Sequence, residues 1–245
     1  MKELKITCQQ QLENLQQEFD EFAYIVSHDL KGPLRAISNL SGWISEDLGE
    51  DLDQDIKHNI ELLQNRTERL ERMINALLIY SRIARFEMDL KEVNVRELVQ
   101  GIAAGLQKDK PFTLTVTDLP VLNTYVKKLE TVFTHLLQNA VRFNDHAQPQ
   151  VWVEAQRQKE FVIFTVRDNG IGISEDALEK IFKIFYTVQP KDHQENLGVG
   201  LSVTKKILQV IGGTIAVQSE KDKGTVVTVT WPLLPPNGKP SKNKL

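Results

Sequence analysis

Apolar residues recur every three or four positions in two stretches near the N-terminus, which is the period of an amphipathic α-helix. In the first stretch the apolar positions are Phe19, Phe22, Val26, Leu30, Pro33, Ile37, Leu40 and Ile44. In the second stretch they are Ile56, Ile60, Leu63, Thr67, Leu70, Ile74 and Leu77. The polar segment 46–51 separates the two, so the pattern predicts an antiparallel helical hairpin. Because two helices cannot cover a seam this long, we expect a second copy of the chain to complete a four-helix bundle through residues 19–83.

After about residue 90 the pattern changes to short β-rich runs that alternate with helical ones, which is typical of an α+β domain. The predicted strands cover residues 112–116, 151–155, 161–166, 214–217 and 226–231. The predicted helices lie near residues 125–143, 175–183 and 199–211. The chain is therefore divided into four parts, which are a linker helix (1–18), a helical domain (19–90), an α+β domain (91–234) and a flexible tail (235–245).

The composition is that of an ordinary globular protein, and it argues against a disordered chain and against a nucleic-acid-binding protein. Of 245 residues, 41% are hydrophobic and 26% are charged, which excludes a mostly disordered chain. The formal net charge of -3 provides no basic field, so we expect no nucleic-acid partner. A single cysteine, Cys8, and the lack of a signal peptide or membrane-spanning run predict a cytoplasmic protein. The helical character of residues 1–4 leaves room for a preceding region, which alone would provide any membrane attachment.

His28 is the first candidate for chemistry. On a helix it points about 160° away from Val26, and therefore away from the apolar seam. Asp29 follows it and can hold one ring nitrogen, which would make the imidazole a nucleophile near neutral pH. Pro33, about one turn later, removes a helical hydrogen bond and favours a kink. A surface histidine and a packing kink explain the same residues, so this helix alone does not decide between the two interpretations.

Asn139 and Arg142 lie one turn apart on the predicted helix near 125–143. The carbonyl oxygen of an asparagine can bind Mg²⁺, and the guanidinium of an arginine can bind phosphate oxygens. An amide in an apolar helix also serves ordinary packing, and so both interpretations stay open.

Two glycine-containing segments complete the candidate chemistry. Strand 161–166 runs into Asp168-Asn169-Gly170-Ile171-Gly172, where a carboxylate could accept a hydrogen bond from the exocyclic amine of adenine. The glycines of Asn196-Leu197-Gly198-Val199-Gly200 open the last helix, where backbone amides can point at phosphates. Each segment alone is also compatible with a plain turn.

Taken in order, these segments resemble the sensor histidine kinases over roughly residues 19–233. The order comprises the His28 helix, the Asn139 helix, the DNGIG loop, a Phe182/Phe185 segment, the GVGL helix start and the terminal Gly224-Thr225 strand. Within it, FAYIVSHDLKGPLR (residues 22–35) resembles the H-box of phytochrome-type kinases.

The resemblance implies a fold and a set of site residues. The fold is a dimerising phosphoacceptor hairpin followed by an α/β-sandwich ATP-binding domain of the gyrase/Hsp90/MutL type. His28 would be the phosphorylated residue, Asp29 its acid/base partner and Asn139 the Mg²⁺ ligand, with residues 187–197 as the ATP lid. The implied ATP-binding residues are Asn139, Arg142, Phe143, Asp168, Gly170, Gly172, Gly198, Gly200 and Thr225.

Three residues depart from the family pattern. Asn196 stands where many members have the first glycine of the second glycine motif, which puts the lid geometry and the nucleotide affinity in question. Asp222 replaces another glycine near the terminal strands, and we expect little effect. Gly32 stands where kinases that are also phosphatases carry Thr or Asn, so we expect weak phosphatase activity.

The sequence thus predicts the catalytic core of a sensor histidine kinase. With ATP and Mg²⁺ it would phosphorylate His28 and pass the phosphoryl group to an aspartate of a response-regulator receiver domain. The alternative is a non-catalytic, nucleotide-binding dimeric scaffold in signalling, which the change at Asn196 favours weakly. A mechanical ATPase of the gyrase/Hsp90 class would leave the His28 helix without a role.

Overall fold

The first part of the chain is a helical hairpin, as its apolar period predicts. The computed structural model describes residues 8–48, 53–83, 89–188 and 196–233. Its contacts divide the chain into two units, Met1–Arg82 and Ile83–Leu245. Helices α1 (Cys8–Leu48) and α2 (Gln54–Arg82) pack against each other in the first unit. The carboxylate of Asp53 accepts a hydrogen bond from the backbone N–H of Asp55 (2.9 Å), which satisfies a free amide at the start of α2.

Small residues line much of the buried side of the hairpin. The buried residues of α1 and α2 include Ala23, Ser27, Ser41, Thr67 and Ile74. The hydroxyls of Ser41 and Thr67 donate to carbonyls three and four residues earlier in their own helices, which offsets the cost of burying them.

Most of the predicted apolar seam lies on a different face of the hairpin and is exposed in the single chain. The exposed members are Phe19, Phe22, Leu30, Ile37, Leu40, Ile44, Ile56, Leu63 and Leu70. An apolar surface this extensive is unusual for an isolated chain and is typical of an interaction surface.

The second unit is an α+β fold built on a five-stranded sheet. Its elements in chain order are β1 (Leu90–Asn94), α3 (Val95–Leu106), β2 (Thr113–Thr117), β3 (Val121–Tyr125), α4 (Val126–Arg142), β4 (Gln150–Arg157), β5 (Phe161–Asp168), α5 (Glu175–Leu178), α6 (Gly200–Ile211), β6 (Thr214–Glu220) and β7 (Gly224–Pro232). The large sheet has the order β2-β4-β5-β7-β6, and β1 pairs with β3 in a separate two-stranded sheet. Among the strands that the structure describes, only the β2–β4 pairing is parallel.

The core of this unit lies between the sheet and the helices α4 and α6. Along β5 the buried residues alternate, with Val162, Phe164 and Val166 facing the core. The ring of Phe164 meets that of Phe133 on α4 edge to face, with 5.2 Å between ring centroids. The same alternation places Asp168, the last residue of β5, on the helix-covered face of the sheet.

Three elements lie where the sequence analysis assigned none, namely β1, α3 and β3. Helix α3 has a recognisable start, because the side chain of Asn94 accepts from the amides of Arg96 and Glu97 and donates to the Glu97 carboxylate (2.8 Å). The predicted helix 175–183 is too long, since α5 ends at Leu178 and the following residues form turns in which Phe185 adopts a φ of 63°.

Candidate active site

His28 lies on the exposed side of α1, as its helical position predicts. Its side chain is 73% exposed, and its Nδ1 lies 3.1 Å from Oδ1 of Asp29. When Nδ1 carries the proton and donates it to this carboxylate, Nε2 keeps an unprotonated lone pair. Helix α1 continues through Pro33, so the proline does not end the helix that carries the histidine.

A cavity in the second unit brings together most of the residues assigned to the nucleotide. Its lining includes seven of them, which are Asn139, Phe143, Asp168, Gly172, Gly198, Gly200 and Thr225. Apolar side chains form much of the remaining wall, namely Leu136, Val166, Ile171, Ile173, Ile181, Val217 and Val227. Apolar walls with a few polar groups are typical of small-molecule and cofactor sites.

Asp168 is the buried carboxylate of this cavity. Its Oδ1 accepts from the backbone amides of Gly170 (2.9 Å) and Thr225 (3.2 Å). Burial raises its pKa to about 6, and the two amide hydrogen bonds oppose that shift. Among the described residues only Oδ1 has hydrogen-bond partners, so Oδ2 is left to accept from a ligand.

Side-chain amides fix the loop after Asp168 to the end of α4. Asn169 Oδ1 accepts from Asn144 Nδ2 and from the amide of Gln150, each at 2.8 Å, and Asn169 Nδ2 donates to the carbonyl of Gln148 (3.1 Å). The carbonyl of Phe143 accepts from the amide of Ile171 (3.0 Å). These hydrogen bonds hold the loop against the end of α4 and the start of β4.

Gly172 and Gly198 are required by the backbone of the cavity. They adopt φ values of 67° and 69°, in the left-handed region that favours glycine. A Cβ at Gly172 would lie 2.0 Å from the carbonyl oxygen of Glu220, and one at Gly198 would lie 2.1 Å from that of Tyr186. Neither position accepts a side chain without a shift of the backbone.

Two predicted nucleotide contacts lie outside the described lining. Arg142 is exposed at the end of α4, and Gly170 is buried behind the loop, with its would-be Cβ 2.2 Å from the carbonyl oxygen of Phe143. Gly170 therefore acts on the cavity through Asp168, to which its amide donates.

The structure shows the local conformation of two residues that depart from the family pattern, Asn196 and Asp222. Asn196 Oδ1 accepts from the amide of Gly198 (3.2 Å), so this side chain supports the turn in which it replaces a glycine. Asp222 adopts a φ of 63°, a conformation in which glycine is favoured and aspartate is tolerated. Most of the predicted lid, residues 189–195, lies outside the described residues.

His135 and Ser219 lie next to residues of this cavity but outside its lining, and the sequence did not single them out. His135 lies one turn before Asn139 on α4, and burial lowers its pKa. Its buried Nδ1 has no hydrogen-bond partner among the described residues. Its ring packs against Gly200 at the start of α6. Ser219 accepts from the amide of Ile173 (2.8 Å) and bonds the hydroxyl of Thr225 (2.9 Å), which joins β6 to β7 beside Asp168. His135 and Asn139 are four residues apart, a spacing that puts both on one helix face, and this pattern could have identified His135 from the sequence.

Family comparisons match both units of the chain in order. The model of the His Kinase A (phospho-acceptor) domain matches residues 20–85. The model of the histidine kinase-, DNA gyrase B-, and HSP90-like ATPase matches residues 124–235. The chain belongs to the sensor histidine kinase family. The helical hairpin with His28 is thus the phosphoacceptor domain, and the unit with the Asp168 cavity is the ATPase domain.

Curated histidine kinases and phytochromes are similar over most of this chain. It is 36% identical over 228 residues to cyanobacterial phytochrome B of Nostoc sp. (strain PCC 7120), an alignment that covers 90% of this chain and 30% of that protein. It is 32% identical over 221 residues to the methanogenesis regulatory histidine kinase FilI of Methanothrix harundinacea, covering 88% and 25% respectively. The chain therefore spans less than a third of the length of these relatives.

Solved histidine kinases share the fold. Full-length ShkA in complex with AMPPNP aligns with a TM-score of 0.64 at 20% identity, over 86% of this chain and 45% of that one. ThkA in complex with the response regulator protein TrrA aligns with a TM-score of 0.62 at 20% identity, over 96% and 69%. Within the described residues, no helix has an apolar stretch long enough to cross a bilayer.

Proposed function

We propose that this chain is the catalytic core of a sensor histidine kinase that phosphorylates its own His28 from ATP and passes the phosphoryl group to an aspartate of a response regulator. The observation that carries the proposal is the hydrogen-bonded pair of His28 and Asp29 on an exposed helix face, in a chain that also holds a cavity with a buried carboxylate. Membership of the kinase family supports it.

The phosphoacceptor chemistry follows from the arrangement of His28. In the tautomer with the proton on Nδ1, this nitrogen donates to Asp29, and the nucleophile is the lone pair of Nε2. The Nε2–phosphorus bond forms as the bond from the γ-phosphorus to the bridging oxygen breaks, and ADP leaves with that electron pair. The carboxylate of Asp29 stabilises the positive charge that develops on the ring during the transfer.

The buried carboxylate explains a preference for adenine. Oδ2 of Asp168 can only accept hydrogen bonds while the group is ionised, which suits the exocyclic amine of adenine and not the carbonyl oxygen of guanine. The apolar wall around it, including Ile171 and Val227, would cover the faces of a bound base. ATP is therefore the nucleotide that this cavity fits.

The residues present also fit a magnesium ion. Asn139 lines the cavity and offers an amide oxygen, a hard ligand of the type that Mg²⁺ binds. The described residues contain no cluster of three or more His, Cys, Asp or Glu side chains able to hold a metal. In nucleotide sites Mg²⁺ usually takes most of its ligands from phosphates and water. When bound, Mg²⁺ would neutralise phosphate charge.

The partners in this proposal are a second copy and a receiver domain. The exposed apolar face of α1 and α2 supports a homodimer through residues 19–83. The solved complex of ThkA with its response regulator supports a receiver domain as the phosphoryl acceptor.

Incubation with γ-labelled ATP and Mg²⁺ tests the proposal. Label on the wild-type chain should survive alkali and be lost in acid, as a phosphoramidate does, and His28→Gln should remove it while ADP affinity stays unchanged. The matched control is His58→Gln, which removes another exposed histidine from the hairpin and should retain full labelling. Label that remains in His28→Gln would contradict the assignment, and a wild-type chain that binds ATP but takes no label would favour the non-catalytic scaffold.

A further inference from the structure

Arg82 lies over the ring of Tyr24, which is one turn before His28 on α1. It is the last residue of α2, and its guanidinium carbon lies 4.8 Å from the ring centroid of Tyr24 on α1. The ring of Tyr24 in turn lies 6.3 Å from that of His28, with an angle of 32° between the ring planes. Tyr24 and His28 are one turn apart on the same helix face, so the Tyr24 ring lies near both the guanidinium of Arg82 and the imidazole of His28.

An aromatic ring holds the guanidinium of Arg82. Arg82 is exposed, and within the described residues the Tyr24 ring is the contact that positions it. Stacking on an aromatic face leaves the N–H groups at the edge of the guanidinium available, and these groups match phosphate oxygens in pairs. The carbonyls at the end of α2 also favour a cation at this position. Each feature prepares Arg82 to bind an anion.

We propose that Arg82 binds the phosphoryl group carried by Nε2 of His28, with Tyr24 as its platform. The inference rests on the proposed function for the source of that phosphoryl group. Asp29 occupies the Nδ1 side of the ring, and Arg82 supplies the positive charge that the incoming phosphoryl group requires. If Arg82 served only as a cation at a helix end, its removal would change stability and leave the phosphoryl group unaffected.

The first test compares rates of autophosphorylation. Arg82→Gln should lower the rate at saturating ATP by about tenfold or more, the value of one charge-assisted hydrogen bond, and leave the KM for ATP unchanged. Tyr24→Leu should lower the rate in the same direction by removing the platform. The matched control is Arg72→Gln, which removes the same charge from an exposed position about 15 Å earlier on α2 and should retain the wild-type rate. Equal rates in Arg82→Gln and Arg72→Gln would overturn the proposal.

A second test does not depend on ATP. Phosphoramidate phosphorylates histidine without an enzyme. The ³¹P resonance of phospho-His28 is the one that the treated wild type shows and the treated His28→Gln variant lacks. The phosphoryl pKa should be lower in the wild type than in Arg82→Gln by about 0.5 or more, because a nearby cation favours the dianion. Identical titrations would overturn the proposal. A wild-type chain that takes no label from ATP but shows this difference would refute the proposed function and retain the inference.

Discussion

Replacing Asp168 with asparagine should change two quantities in opposite directions. Nucleotide affinity should fall, and the free energy of unfolding of the protein without nucleotide should rise. Asparagine has the same shape, and its Oδ1 can still accept from the amides of Gly170 and Thr225. The substitution removes the charge and places an amide nitrogen where Oδ2 was.

The raised pKa of Asp168 sets the size of the expected change in the free energy of unfolding. Burial raises the pKa of Asp168 from 3.8 to about 6, so the folded chain binds this proton more tightly than the unfolded chain. The resulting stabilisation is fully present below pH 3.8 and is lost as the pH rises through about 6. At pH 8 the shift corresponds to a cost of about 3 kcal/mol for the apo protein, at about 1.4 kcal/mol per pKa unit. We therefore expect Asp168→Asn to be more stable than the wild type at pH 8 by up to that amount, and the gain to shrink towards pH 4.

The same substitution should weaken nucleotide binding. The loss of a charge-assisted hydrogen bond to the adenine amine costs about 1.5–3 kcal/mol, which lowers ADP affinity at least about tenfold. In the wild type, affinity should also fall as the pH drops below about 6, because the protonated carboxyl is a poorer acceptor. The variant should lack that pH dependence.

Urea unfolding and calorimetry measure the two effects. Trp152 and Trp231 report the ATPase domain by fluorescence in a Trp43→Phe background, which removes the tryptophan of the hairpin. The control is Asp109→Asn, which removes the same charge from an exposed position outside the cavity lining and should change neither quantity. An Asp168→Asn variant that is no more stable than the wild type at pH 8, or that binds ADP equally well, would refute the reasoning.

Three further predictions concern other parts of the chain. Light scattering should give twice the chain mass for the wild type, and Leu70→Glu should yield monomers because it places a charge on the exposed apolar face. The wild type should accelerate the decay of a phosphorylated regulator only weakly, and Gly32→Thr should accelerate that decay more strongly. A Cβ at Gly32 meets no atom within 4 Å, and the threonine hydroxyl can position the attacking water. Gly198→Ala should lower ATP affinity, measured by calorimetry, more than about tenfold, because the new Cβ would lie 2.1 Å from the carbonyl oxygen of Tyr186. The control Gly101→Ala adds a Cβ that meets no atom within 4 Å, and this variant should retain the wild-type affinity.

Different results would contradict each of these. A wild-type chain that scatters as a monomer at micromolar concentration would remove the role assigned to the exposed apolar face. Strong phosphatase activity in the wild type would show that another group positions the water in place of residue 32. Unchanged ATP affinity in Gly198→Ala would mean that the start of α6 does not take part in nucleotide binding.

Local patterns determined the hairpin and the identity of most site residues. A period of three to four residues is a property of a helix alone, so it predicted α1 and α2 and the outward position of His28 before any tertiary contact was known. The order of the His28, Asn139 and Asp168 segments along the chain then indicated the family, which the family models confirm. The sequence also predicted that Asp29 can hold a ring nitrogen of His28, and the structure places Nδ1 of His28 3.1 Å from Oδ1 of Asp29.

Only the tertiary structure decided which distant residues meet and what their environment does to them. The short strands β1 and β3 gain their identity from pairing with each other, and neither has a strong pattern of its own. The packing of His135 against Gly200 and the stacking of Arg82 on Tyr24 each join residues far apart in sequence. The raised pKa of Asp168 depends on how the covered sheet excludes water from its carboxylate. Desolvation and long-range contacts are properties of the packed chain, because they depend on which surfaces the fold brings together.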